Sequence, residues 1–127
     1  MYKTMLLLQK FDSIMYEAQR QGRITFYLTS HGETAVHVGI ASALDINDLV
    51  FCQYREAGIL LYRGYSINDC CHQIFGNAAG TDKGKQCPIH YGSKELNYVT
   101  ISSTIATQGI KYYKFLVFAL FDQHFLV

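Results

Sequence analysis

A chain of 127 residues makes one small domain at most. Half of its residues are hydrophobic, 14% are aromatic and 17% are charged, a balance that excludes an intrinsically disordered protein. The formal charge of +1 leaves no basic stripe to neutralise a phosphate backbone, so nucleic acid is not an expected partner.

The first ten residues hold one short apolar run, Met5 to Leu8, followed by Gln9-Lys10-Phe11-Asp12. That run is too short for a signal-peptide core, and the segment is not an Arg/Ser-rich transit peptide, so no targeting segment is visible. Leu8, Phe11, Met15 and Ala18 recur at helical spacing, with Lys10, Asp12, Glu17 and Arg20 between them, and predict a helix stopped at Gly22. Ile24 to Leu28 is short and β-prone, or an extended connector. Ser30-His31-Gly32-Glu33 has the spacing of a capping box and predicts a second helix through Ala43. Its small residues, Ala35, Gly39, Ala41 and Ala43 among them, predict burial. Asp48 to Phe51 reads as the end of a strand running into a polar loop, Gln53-Tyr54-Arg55-Glu56.

Ala57 to Tyr62 is apolar and predicts a helix, and Ser66-Ile67-Asn68-Asp69 opens another that ends at Phe75-Gly76. Asn77 to Asn97 is a long loop rich in Gly, Lys and His, and loops of that length are usually functional or disordered. Val99 to Ile101 reads as a strand, and Ser102-Ser103-Thr104 as a turn into a helix. Residues 110–127 are strongly apolar with no amphipathic period, which predicts a buried strand. The run is far below the roughly 20 residues that span a bilayer, so no membrane span is expected.

The four cysteines, Cys52, Cys70, Cys71 and Cys87, form no C-x-x-C pattern and read as reduced, mostly buried thiols. The five histidines show no metal-ligand spacing. Asp12, Glu17, Asp45, Asp48 and Asp69 read as solvated helix-face or cap residues. No catalytic residue is assigned from the pattern. Two loops are candidates for binding. In Gln53 to Glu56, Arg55 has the donors to grip a phosphate and Tyr54 can bond a second oxygen, although the spacing alone favours a surface salt bridge to Glu56. In Ser102 to Gln108, hydroxyls, carbonyls and a side-chain amide crowd one helix start. They suit an anion or a hard monovalent cation, but the residues by themselves favour ordinary helix capping.

Several segments together resemble one family. They are Met1 to Met5, Tyr16 to Ile24, His37-Val38-Gly39, Asp48 to Phe51 with Gln53 to Gly58, Lys83 to Gln86 with Pro88-Ile89-His90-Tyr91-Gly92, and Val99 to Ser103 with Ala106-Thr107-Gln108. As a set they resemble the alpha subunit of the thiamine diphosphate-dependent branched-chain 2-oxo acid dehydrogenases, over residues 1–109. The resemblance implies an α/β fold, the N-terminal part of a thiamine diphosphate-binding fold with a parallel sheet flanked by helices. It implies oxidative decarboxylation of branched-chain 2-oxo acids with acyl transfer to a lipoyl carrier. Tyr54 and Arg55 would hold the cofactor's diphosphate, and Ser103 would also contact the cofactor. Ser102, Thr104, Thr107 and Gln108 would surround a structural K⁺; the family usually has Pro at the position of Thr104. The implied partners are a beta subunit in an alpha2-beta2 heterotetramer and a lipoyl acyltransferase core, in the mitochondrial matrix.

The departures are equally specific. The family's Gly-Asp-Gly strand and its downstream Asn, which bind Mg²⁺ and the diphosphate, have no counterpart here, and residues 110–127 match nothing in it. The expectation is therefore a truncated alpha subunit, residues 1–109, with an unmatched apolar tail. The alternatives are a non-catalytic fragment and a pyruvate-type 2-oxo acid dehydrogenase alpha subunit.

Overall fold

The computed structural model of the protein describes residues 1–122. Five helices follow one another: α1 (Tyr2–Arg20), α2 (Thr34–Ala43), α3 (Ala57–Tyr62), α4 (Ile67–Ile74) and α5 (Thr107–Asp122). The first three pack on one another and build the core. Leu8, Phe11 and Met15 line one face of α1 and are buried against Ile59 and Leu60 of α3 and the connector residues Ile24 and Tyr27. Each fully buried Leu of this kind contributes about 1.5–3 kcal/mol relative to an exposed one. Helix α1 ends as the sequence predicts. Gly22 has φ +72°, its N–H bonds to the Gln19 carbonyl at 3.0 Å, and the Arg23 N–H bonds to Ala18 at 3.0 Å. This paired arrangement needs a residue that accepts left-handed backbone.

Helices α3 and α4 lie where the apolar pattern and the Ser66 start signal place them. The Ser66 hydroxyl accepts the Asp69 N–H at 3.0 Å. Two expectations about α2 do not hold. Its first turn is entered from Glu33 with no side-chain cap, because Ser30 is engaged elsewhere. The helix is also not buried all round. Thr34, His37, Val38 and Ala41 face the core, while Val36 and Ile40 are exposed.

Close packing of α3 on α2 depends on Gly58. A methyl group there would lie 2.8 Å from the His37 Cβ and 3.0 Å from the Leu8 Cδ2. Gly39 on α2 has nothing within 4 Å of the same position. Glycine in a helix interior costs roughly 0.8–1.0 kcal/mol relative to alanine, whereas overpacking a core costs about 1–3 kcal/mol. Gly39→Ala should therefore raise the denaturation midpoint and Gly58→Ala should lower it. Urea melts of the two variants check this, and a shift of the same sign in both would contradict the packing.

Among the described residues no extended strand forms, and Ile24 to Leu28 is a connector. The two predicted strands meet at a single parallel bridge, Val50 with Tyr98, through Val50 N–H to Asn97 O at 2.8 Å and Val99 N–H to Val50 O at 3.0 Å. Arg63 holds the surrounding loops together. Its guanidinium is buried and donates to three backbone carbonyls, Asp48 at 2.8 Å, Leu96 at 2.7 Å and Asp45 at 2.9 Å. Its fork of donors satisfies three loop carbonyls at once.

The apolar C-terminal segment is not the buried strand its composition predicts. From Thr107 to Asp122 it is helix α5, and residues 123–127 lie outside the described residues. Leu, Ala and Lys in this run are good helix formers, and among the described residues no neighbouring strand offers the segment a ladder to join. Phe51 packs edge-on against Tyr112 at 5.7 Å, and Lys111 Nζ donates to the Thr100 carbonyl at 2.7 Å. Ile110, Tyr113, Phe118 and Leu120 are exposed. No described helix is long and apolar enough to cross a membrane.

Candidate functional site

Tyr54 and Arg55 sit on a tight turn between the Val50 bridge and α3. The turn closes on itself, with Glu56 N–H to Gln53 O at 3.2 Å and Gln53 N–H to the Glu56 carboxylate at 2.8 Å. Glu56 therefore braces the turn instead of pairing with Arg55. Among the described residues Arg55 enters no salt bridge, and its exposed guanidinium stands 5.9 Å from the centre of the Tyr54 ring. An unpaired Arg, held against an aromatic face, keeps its whole donor fork for a ligand.

The backbone of Arg55 is fixed from beneath. The Ser30 hydroxyl donates to the Arg55 carbonyl at 3.0 Å, and the Ser30 N–H donates to Asp12 Oδ2 at 2.7 Å. The other oxygen of Asp12 accepts the Tyr27 hydroxyl at 2.7 Å. Asp12 is thus not a solvated helix-face residue; it is buried. Burial pushes its carboxyl above the usual range, against the opposing pull of the Tyr27 and Ser30 donors. Its position one helical turn after Leu8 and one residue after Phe11 is the signal that could have placed it on the core face.

The second candidate loop lies against the first. Ser103 is exposed on the turn before α5, and its hydroxyl oxygen contacts His90 Nε2. The His90 ring is buried and lies parallel to Tyr54, at 22° with centroids 6.4 Å apart. Its Nδ1 is 2.9 Å from the Pro88 carbonyl oxygen. The segment carrying His90 reaches this place by running close beside Thr100. A Cβ on Gly92 would fall 2.2 Å from the Thr100 hydroxyl oxygen, and the Ile101 N–H bonds to Tyr91 O at 3.0 Å. Ile89, which precedes His90, is buried with φ +62°. Left-handed backbone at a β-branched residue costs on the order of 1–3 kcal/mol and persists only where the surroundings impose it.

Gln108 makes the other tie. Its Nε2 donates to the Cys52 carbonyl at 2.7 Å, two residues before Tyr54, while its Oε1 is buried without a hydrogen-bond partner. The Thr104 carbonyl accepts the Thr107 N–H at 3.2 Å, and Ala106 between them has φ +67°. The turn thus holds a buried carbonyl-type oxygen without a hydrogen-bond partner at the start of α5.

Of the four cysteines, Cys52 and Cys70 are buried, Cys71 is half-buried and Cys87 is exposed. Burial pushes the Cys52 and Cys70 thiols up to about 12, so both stay protonated and unreactive at neutral pH. Among the described residues no group of His, Cys, Asp and Glu comes together as a metal site. A cleft of about 890 Å³, lined in part by Tyr65, Asp69, Asp82, Lys85 and Thr100, opens beside His90 but includes none of Tyr54, Arg55 and Ser103.

The family model described as "Dehydrogenase E1 component" matches residues 2–119. This chain belongs to the dehydrogenase E1 component family. Similar proteins within it include 2-oxoisovalerate dehydrogenase subunit alpha, mitochondrial, of Homo sapiens. That protein is 56% identical over 108 residues, covering 85% of this chain and 24% of the human one. Subunit alpha 1 of Arabidopsis thaliana is 58% identical over 108 residues, 85% of this chain and 23% of the relative. The Caenorhabditis elegans subunit alpha is 56% identical over 108 residues, 85% of this chain and 25% of the relative. The chain thus spans about a quarter of the length of the curated relatives it matches. The resemblance singled out Tyr54, Arg55, Ser102, Ser103, Thr104, Thr107 and Gln108; the two loops that carry them are joined through Gln108 to the Cys52 carbonyl and through Ser103 to His90, which stacks on Tyr54. It gave no role to Asp12 and Ser30, which brace the Arg55 backbone, or to His90, which joins the two loops.

Proposed function

We propose that the chain is part of the alpha subunit of a thiamine diphosphate-dependent branched-chain 2-oxo acid dehydrogenase. The single observation that supports this best is the meeting of the two loops, tied by Gln108 to Cys52 and by the Ser103–His90–Tyr54 contact. When bound, thiamine diphosphate supplies the carbanion chemistry of decarboxylation, and the protein supplies binding, orientation and charge. Arg55, exposed and unpaired, grips the diphosphate; Tyr54 stands beside it, and Ser103 contacts the cofactor from the second loop. Such a fold is built on a parallel sheet; among the described residues one isolated parallel bridge, Val50 with Tyr98, supports that reading. Residues 1–127 contain no counterpart of the family's Gly-Asp-Gly motif, so Mg²⁺ has no assigned donors here. The activity is oxidative decarboxylation of branched-chain 2-oxo acids with acyl transfer to a lipoyl carrier. The partners are a beta subunit, in an alpha2-beta2 heterotetramer, and a lipoyl acyltransferase core, in the mitochondrial matrix.

The test is 2-oxo-acid-dependent CO₂ release by the native protein with added thiamine diphosphate and Mg²⁺. The expected result is turnover of 2-oxoisovalerate in clear preference to pyruvate. Preference for pyruvate would overturn the branched-chain reading.

Ser102, Thr104, Thr107 and Gln108 hold K⁺ in this reading, with the Gln108 Oε1 as the buried oxygen that otherwise lacks a partner. An ion that binds only the folded state stabilises it by mass action, about 2.7 kcal/mol when its concentration is 100 times its Kd. The native protein should therefore melt at a higher temperature in KCl than in NaCl at equal ionic strength, and Gln108→Leu should abolish the difference. Identical melting in the two salts would remove the cation from the turn.

A further inference from the structure

We propose that a small cleft at the C-terminal end of α4 binds a free α-amino acid with an apolar side chain, held by Gln73 and Arg23. The cleft has a volume of about 200 Å³ and is lined by Arg23, Ile24, Gln73, Ile74, Phe75 and Pro88 among others. It shares no residue with the two loops that carry Tyr54, Arg55 and Ser103, so the inference does not rest on the cofactor reading above.

The site begins with the Gln73 side chain, which is 1% exposed. Its Nε2 donates to the Cys87 carbonyl at 2.6 Å, and a carbonyl only accepts, so the amide has one orientation. Its Oε1 is then the other end, buried and without a hydrogen-bond partner. Cys87 directly precedes Pro88, so the amide ends at the wall of the cleft. A buried oxygen in that state calls for a donor from a ligand. Gln73 also lies in the last turn of α4, where the carbonyl end of a helix favours a cation. An ammonium group meets both demands.

Arg23 supplies the opposite charge. Its backbone is pinned just past α1 by the bond to Ala18 O at 3.0 Å, and Ile24 beside it is buried. Its side chain is exposed and, among the described residues, enters no salt bridge. The guanidinium therefore keeps its fork for a carboxylate. Ile24, Ile74, Phe75 and Pro88 give the wall its apolar part. The loop after α4 folds tightly back over this end, since a Cβ on Gly84 would fall 2.4 Å from the Gly76 carbonyl oxygen. The volume lies below the roughly 300–1,000 Å³ of drug-sized sites. An ammonium, a carboxylate and a small apolar body in one molecule describe an amino acid such as leucine. A 2-oxo acid does not fit, because its oxo oxygen would face the Gln73 oxygen with no proton between them.

Calorimetric titration of the native protein with L-leucine tests this. The second ligand is 4-methylpentanoate, which is leucine without its ammonium group. Leucine should bind once per chain, and 4-methylpentanoate should bind at least about 10-fold more weakly, the effect of losing a hydrogen bond to a charged group. Arg23→Ala should weaken leucine by about 10-fold, the lower end of the range for such a bond because the side chain is exposed. Gln73→Met, which removes the acceptor oxygen, should weaken leucine by about as much. The comparison of the two ligands leaves the core untouched, so the test stays decisive if Gln73→Met fails to fold. Saturating thiamine diphosphate should leave leucine affinity unchanged. Absence of leucine binding would mean that water alone meets the Gln73 oxygen, and would overturn the proposal. Equal affinity for the two ligands, or unchanged binding in Arg23→Ala, would overturn it as well. Displacement of leucine by thiamine diphosphate would move leucine to the cofactor loops and overturn the assignment to this cleft.

Discussion

Arg55→Ala is expected to raise the thiamine diphosphate concentration needed for half-saturation by about 10- to 150-fold. That range corresponds to the roughly 1.5–3 kcal/mol that a hydrogen bond to a charged group contributes. The expectation follows from what Arg55 lacks. It is exposed, it enters no salt bridge among the described residues, and the adjacent carboxylate of Glu56 is turned inward to the Gln53 N–H. Removing its side chain therefore breaks no internal contact that holds the fold, and the loss should fall on ligand affinity. Arg55→Lys should recover only part of it, because an ammonium keeps the charge but not the two-pronged geometry. Thermal melting of the cofactor-free variants should be nearly unchanged. An unaltered cofactor requirement in Arg55→Ala would return this residue to an ordinary surface position.

Asp12→Ala is expected to cost about 2–6 kcal/mol of stability, a large part of the 5–15 kcal/mol typical of a domain. Its carboxylate is the acceptor for both the Tyr27 hydroxyl and the Ser30 N–H, each at 2.7 Å. Removing it leaves two buried donors unpaired, each costing about 1–3 kcal/mol. Asp12→Asn keeps one acceptor oxygen but turns an NH₂ toward the other donor, so it should lose about half as much. Because Ser30 also holds the Arg55 carbonyl, both variants should bind thiamine diphosphate less tightly as well. The carboxyl adds a pH dependence. Burial holds its pKa above that of the unfolded chain. The unfolded state therefore releases its proton first, from roughly pH 4 upward. Between that point and the raised folded value, Asp12 makes stability fall as pH rises. Asp12→Asn should flatten the urea midpoint in that window. A midpoint within the error of the unsubstituted protein would mean that Asp12 is a solvated helix-face residue after all.

Local signals placed most of the helices. The apolar spacing of Leu8, Phe11 and Met15, the stop at Gly22, and the Ser66-Ile67-Asn68-Asp69 start are interactions over three or four residues, and they hold in the folded chain whatever surrounds them. The motif set that runs from Tyr54-Arg55 to Thr107-Gln108 likewise sufficed to point to the family, because a match over many short segments is specific even where each segment alone is not.

Contacts between distant residues were not legible in this way. Ser30 has the spacing of a capping residue, yet a carbonyl 25 residues later takes its hydroxyl and a carboxylate 18 residues earlier takes its N–H. Asp12 looks like surface charge until Tyr27 and Ser30 supply its donors. His90 looks like any loop histidine until Tyr54 and Ser103 close on it. The tail shows the same limit from the other side. An apolar run without a period fits a buried strand or a helix, and only the availability of a neighbouring strand decides between them; among the described residues there is none, and Thr107–Asp122 is helical. Residue type and near neighbours were enough to identify the family and where most helices begin and end. Only the tertiary structure decided which polar groups are buried and whom they bond, since a hydrogen bond across the fold depends on where the intervening chain returns.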